Sequence, residues 1–200
     1  MRSKILHELK RHIPFTALAT AIAIVLAIFI IYILKKPITS EFFKHTHPLH
    51  ILVSGMVTAG IFYKYKKSFF KALLIGITGS IIIGSASDVI FPYLGGLLFN
   101  LNITFHLPFI ENTILILFVA TIGSIAGVSL RVTKCPHLIH TFLSVFASLF
   151  YLLTYSQAFQ LLYFIGAFFV VFIAVIIPCC MSDIIFPLLL LGKKFNLLRK

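Results

Sequence analysis

The sequence predicts an all-helical integral membrane protein, with six transmembrane helices arranged as two inverted three-helix repeats. Three observations carry that prediction: an apolar composition, six long apolar runs, and a His and Asp pattern that occurs twice. Sixty per cent of the 200 residues are hydrophobic and 11% are charged, with a mean hydropathy of +1.09. That lies outside the composition of soluble domains. A helix needs about 20 residues to cross a bilayer, within a range of about 17–25. Apolar runs near that length occupy residues 14–34, 49–63, 69–92, 113–130, 138–155 and 158–180, the second being the shortest. Each is continuously apolar rather than alternating, and an open sheet edge is not tolerated in lipid, so helices are expected and not strands.

The repeat rests on a scarce residue type. The chain has five carboxylates, and four fall at matching places in its two halves. The first half carries His47-Pro48-Leu49-His50 and then Ser87-Asp88-Val89-Ile90-Phe91-Pro92. The second carries Pro136-His137-Leu138-Ile139-His140 and then Ser182-Asp183-Ile184-Ile185-Phe186-Pro187. Ala17 to Ile24 (ALATAIAI) also matches Phe118 to Ile125 (FVATIGSI), with Glu8 before one and Glu111 before the other. Three spans per half is an odd number, so the second copy enters the membrane from the opposite side, as in many secondary transporters. The expected organisation is a first repeat over 1–92, an extracytoplasmic connector over 93–110, a second repeat over 111–192 and a basic cytoplasmic tail over 193–200.

A formal net charge of +12 invites a nucleic-acid partner, but the distribution explains it otherwise. With the N-terminus inside, 14 of the 17 Lys and Arg residues fall on one side, leaving Lys35, Lys36 and Lys44 on the other. This is the positive-inside bias. It predicts cytoplasmic N- and C-termini, a prokaryotic cytoplasmic (inner) membrane, and contact with anionic lipid heads rather than nucleic acid. The basic segment before residue 14 leads into a run too long for a signal peptide and without a clear cleavage site, so the first span is expected to be retained.

The candidate chemistry is metal ligation. His47 with His50, and His137 with His140, are i, i+3 pairs whose imidazoles point the same way on a helix. The proline within or before each pair suits a first helical turn. Asp88 and Asp183 lie in the repeated motif near the ends of spans; a carboxylate within a span costs about 2.5–3.5 kcal/mol on insertion scales and usually marks an ion or proton pathway or a buried partner. Lys71, at the opposite end of its run from Asp88, is the only Lys or Arg within these spans, so histidine is the available partner. Inversion assigns His47, His50 and Asp88 to an outer cluster and His137, His140 and Asp183 to an inner one. Glu8, His12 and Glu111 are possible further ligands. So are Cys135, Cys179 and Cys180, reduced thiols near the inner face that would favour softer ions. Behind the second histidine of each pair runs a polar stripe at i, i+4 and i+8: His50, Ser54 and Thr58, then His140, Ser144 and Ser148.

Nitrogen and oxygen donors of this kind suit a divalent ion of the zinc, manganese or iron class. The expected function is therefore a small carrier or channel-like permease for such an ion, with proton coupling through His and Asp and a homodimer to widen a narrow bundle. An intramembrane metal-dependent hydrolase acting on lipid or peptide is the rival, and a proton-coupled carrier of an organic solute is the third reading. A transporter is expected ahead of an enzyme because duplication supplies two related clusters where a catalyst needs one. The sequence has no P-loop, dinucleotide fingerprint, H-E-x-x-H or G-x-S-x-G.

Overall fold

The computed structural model describes residues 2–130, 135–156 and 163–180, with Phe186 and Leu190; for residues 2–11, 135–137 and 180 it describes the backbone alone. Asp183 and the tail over 193–200 lie outside the described residues, as do the side chains of Glu8, Cys135, His137 and Cys180.

Helix α1 spans Arg2–Ile28 and ends in a π-helical turn at Phe29–Ile33. Helix α2 spans Ser40–Tyr65. Helix α3, Phe69–Ser85, passes through a π-helical turn at Ala86–Ile90 into α4, Phe91–Leu98. A single turn, α5 (Pro108–Glu111), precedes α6 (Thr113–Leu130) and α7 (Cys135–Tyr155). Helix α8, Tyr163–Ala174, continues into a π-helical segment at Val175–Cys180. Among the described residues there is no strand, only an isolated bridge between Ile103 and Ser156.

Four helical stretches are long and apolar enough to cross a membrane: His12–Ile33, Phe69–Leu98, Thr113–Leu130 and Leu138–Tyr155. Tyr163–Cys179 is apolar but shorter. Helix α2 is 26 residues long yet outside that set. Its polar load explains this, because it carries Glu41, Lys44, Lys64 and three histidines. It is also the centre of the bundle, with α6, α3 and α7 packed around it. A helix wrapped by protein has no need of an apolar surface all round.

Two boundaries differ from the sequence expectation. Helix α2 starts at Ser40, so the run over 49–63 is its inner part and Pro48 lies inside the helix rather than in a first turn. Glu41 favours the new N-terminus electrostatically, and Lys44 donates to it at 2.7 Å, an exposed pair that holds the Glu41 carboxyl below its usual range. The third helical stretch runs on through Pro92 to Leu98. Proline lacks an N–H and crowds the carbonyl four residues back, which is that of Asp88. The π turn ahead of it lets the chain continue, with the Phe91 N–H donating to Ala86 O.

Helices α2 and α6 run parallel at close range. A Cβ added at Gly123 or Gly127 would collide with the carbonyl oxygens of Leu52 and Met56 respectively. This Gly-x-x-x-Gly spacing is what lets two backbones touch in a membrane, where apolar side chains gain little over lipid. Helices α2 and α7 run antiparallel: the Thr154 hydroxyl donates to Thr39 O, Phe43 meets Tyr151, and His50 meets His140. Three helix pairings recur in like form. Helix α2 packs on α3 and α6 as α7 packs on α8 and α1, and α3 touches α6 as α8 touches α1.

Candidate metal centre

Asp88 is the hub of the buried polar groups. It sits in the π turn Ala86–Ile90 and is completely buried. A π turn widens the helix by one residue and redirects the side chains it contains, which is why such turns recur at functional sites. Here it aims the carboxylate between α2 and α7. Oδ2 lies 2.8 Å from His47 Nδ1 and 2.6 Å from His50 Nδ1. Oδ1 accepts from Ser87 Oγ at 2.7 Å and from Ser144 Oγ at 3.3 Å. Four donors around two oxygens are what a carboxylate needs when no Lys or Arg is buried beside it, and none is among the buried described residues.

These bonds assign the histidine protons. An ionised carboxylate only accepts, so His47 and His50 each donate through Nδ1–H, leaving His50 Nε2 with its lone pair. That atom lies 2.8 Å from His140 Nε2, which is then the donor. The two rings are 4.6 Å apart and tilted by 31°. Cys179, in the π segment Val175–Cys180, places Sγ 3.6 Å from His140 Nε2 and 3.9 Å from His50 Nε2.

His50, His140 and Cys179 form a group able to hold a metal ion, their donor atoms all within 4.8 Å of one another. Tetrahedral zinc, with bonds of about 2.0–2.1 Å to nitrogen and about 2.3 Å to sulfur, needs separations of about 3.3 Å between nitrogens and about 3.6 Å from nitrogen to sulfur. The sulfur is therefore nearly in position, and the two rings need only part by about half an ångström. Asp88 bonded to the far nitrogen of His50 is the carboxylate–histidine–metal arrangement that fixes a ligating imidazole's tautomer and tilt.

The clusters expected at opposite faces are thus joined. His50, assigned outside, meets His140, assigned inside, and Asp88, assigned outside, accepts from Ser144 of the stripe behind His140. The cause is depth. Because α2 begins at Ser40, His50 lies about 15 Å along it at 1.5 Å per residue, not at the surface. Cys179 is likewise buried. Asp88, expected as a ligand, stands behind the His50–His140–Cys179 group and bonds the far nitrogen of His50. Ser54, Thr58, Ser144 and Ser148 are all buried, and Ser148 Oγ lies 2.7 Å from Ser144 O and 3.0 Å from Ser87 O. Glu111 is not brought to this group: it is half exposed and bonds His106 Nδ1 at 2.9 Å. His12 is half-buried at the start of its apolar stretch.

Sequence reasoning missed the roles of Ser87, Phe43, Tyr151, Tyr155 and His106. Ser87 had a signal, as part of the repeated Ser-Asp pair. The aromatic residues had none, since they assemble from three segments. The Phe43 ring stacks on His47 at 5.3 Å and meets Tyr151 at 5.2 Å and Tyr155 at 5.9 Å, while His106 stacks on Tyr155 at 4.3 Å. A continuous file of rings therefore leads from the exposed His106–Glu111 pair to His47. His47 Nε2 is buried with no hydrogen-bond partner among the described residues, a costly state of about 1–3 kcal/mol. No protein-family description, curated protein or solved structure matches the chain.

Proposed function

We propose that the protein is a small membrane carrier or channel-like permease for a divalent transition-metal ion, which it binds at His50, His140 and Cys179. One observation carries this reading: the equivalent histidines of the two sequence repeats meet at 2.8 Å in a completely buried site. Residues related by a twofold axis touch each other only at that axis. Inverted repeats put such an axis in the membrane plane, and carriers built this way bind ions there, between the halves and beside interrupted helices. Asp88 and Cys179 lie in just such interruptions of α3 and α8.

Other features support the six-span, inverted plan. The parallel α2–α6 pair, the antiparallel α2–α7 pair and the matched contacts of the two halves all agree with it. His50 is about 15 Å from the start of α2 and about 22 Å from its end, near mid-bilayer depth. From this point two rows of hydroxyls diverge. Ser54 and Thr58 follow α2 towards the side the basic residues mark as cytoplasmic, and Ser144 and Ser148 follow α7 towards the other. The aromatic file over His47 closes the outer end, and the orphaned His47 Nε2 suits a ligand that receives the ion in passing. Ligands must lose their protons to bind, so loading displaces the His140 Nε2 and Cys179 protons and supplies a means of proton exchange. Enclosed donors suit a bare ion better than the bulky substrate of an intramembrane hydrolase. A homodimer would widen the bundle.

The test is uptake of zinc into sealed proteoliposomes, with His50→Ala and His140→Ala beside the wild type. The proposal expects saturable uptake that both variants abolish. Uptake equal to protein-free vesicles, or lipid or peptide hydrolysis without uptake, would overturn it.

A further inference from the structure

We infer that the centre is selective for a thiophilic divalent ion of the zinc and cadmium class, and that it rejects manganese, magnesium and calcium. The inference rests on the binding site proposed above and narrows its substrate. Nitrogen and oxygen donors together, as the sequence suggested, would admit manganese and iron alongside zinc. The structure separates them. Asp88 Oδ2 is bonded to the Nδ1 edge of His50, whereas His50 turns its Nε2 edge to His140 and Cys179. One imidazole cannot present both edges to one ion, so the carboxylate is held away from it. Its other oxygen is occupied by Ser87 and Ser144. What converges are two imidazole nitrogens and one sulfur. Hard ions bind oxygen, and manganese stands lowest in the affinity order for nitrogen and sulfur sites, so this donor set disfavours all three.

Charge decides between a divalent ion and copper(I), which also accepts such donors. A Cys179 thiolate and the Asp88 carboxylate together bring two negative charges into a site where no Lys or Arg is buried among the described residues. A divalent ion neutralises both. A monovalent ion leaves one negative charge uncompensated in a low-dielectric interior, which is strongly unfavourable. Three protein ligands leave a fourth tetrahedral position open, the pattern of sites that exchange what they bind.

The experiment is an equilibrium titration of the purified full-length chain in detergent, with cobalt(II) as the probe. Cobalt(II) bound by a thiolate shows a near-ultraviolet charge-transfer band. The expected result is that band, its displacement by equimolar zinc or cadmium, and its persistence under a hundredfold excess of manganese or magnesium. Cys179→Ser, verified as folded by its elution and thermal unfolding, should lose the band and bind cadmium at least a hundredfold more weakly, while Cys180→Ser should keep both. Manganese competing within tenfold of zinc would overturn the inference without any variant, as would a band that survives Cys179→Ser. The binding result is independent of flux. Selective binding with no vesicle uptake sinks the transport reading and leaves the selectivity standing; manganese uptake through the same site does the reverse.

Discussion

Asp88 is held by four hydrogen bonds from three helical segments, and its role follows from which edge of each imidazole it occupies. Asp88→Asn keeps the shape but replaces one acceptor with a donor: an amide nitrogen at the Oδ2 position opposes both Nδ1–H groups, and one at the Oδ1 position leaves them a neutral, weaker acceptor. Loss of such an orienting partner lowers metal affinity by about 10–100-fold. Competition titration of zinc should show a fall of that size. An unchanged affinity would mean that His50 does not need Asp88. His50→Ala or His140→Ala removes a ligand outright and should cost more than Asp88→Asn, leaving metal content near background. The residues that matter here were mostly legible in the chain, because a buried carboxylate is so costly that each one advertises itself. The part each plays was not legible, since the two edges of an imidazole are alike in a sequence.

At the level of elements, the centre depends on two departures from α-helix. Both lie beside a proline, Pro92 following the turn at Ala86–Ile90 and Pro178 lying within Val175–Cys180. Pro92→Ala restores the missing N–H and removes the clash with the Asp88 carbonyl, so the turn can relax to a regular helix. The expected outcome is a thermal midpoint that holds or rises together with weaker zinc binding, because Asp88 rotates away from α2. Equal zinc affinity in the variant would show that the turn serves continuity alone. The α2–α6 contact has the opposite sensitivity. Gly123→Val drives a side chain into the Leu52 carbonyl and should lower stability by about 1–3 kcal/mol, read from unfolding in detergent. A neutral result would mean that the helices can separate without loss. The prolines and the Gly-x-x-x-Gly spacing stand in the sequence, yet the partner of each glycine does not.

At the scale of the molecule, alternating helix directions and the location of basic residues make a topological prediction. In sealed vesicles, with Cys135 and Cys180 replaced by serine, a membrane-impermeant thiol reagent should reach a cysteine placed at Lys66 from one side and one placed at Asn112 from the other. Labelling of both from the same side would remove the six-span arrangement and with it the axis through the histidines. The second helix is less apolar than the four stretches long and apolar enough to cross a membrane. It surrenders apolar character to carry His47 and His50, and can do so because α3, α6 and α7 shield it.

The sequence by itself determined the helical class, the apolar lengths, the strongly basic balance and the small set of residues able to ligate. Local chemistry sets each of these: transfer free energy, backbone hydrogen bonding without water, and the scarcity of carboxylates. The tertiary structure alone decided that His50 and His140 meet, that Cys179 lies beside them in a group able to hold a metal ion, and that Asp88 bonds the far nitrogen of His50. Those outcomes depend on depth and rotation. A nine-residue shift in where α2 begins moves a histidine from a helix's first turn to well inside it, and a single π turn rotates a carboxylate onto a neighbouring helix. Neither quantity is written in composition or periodicity, because both come from how one helix is seated against another.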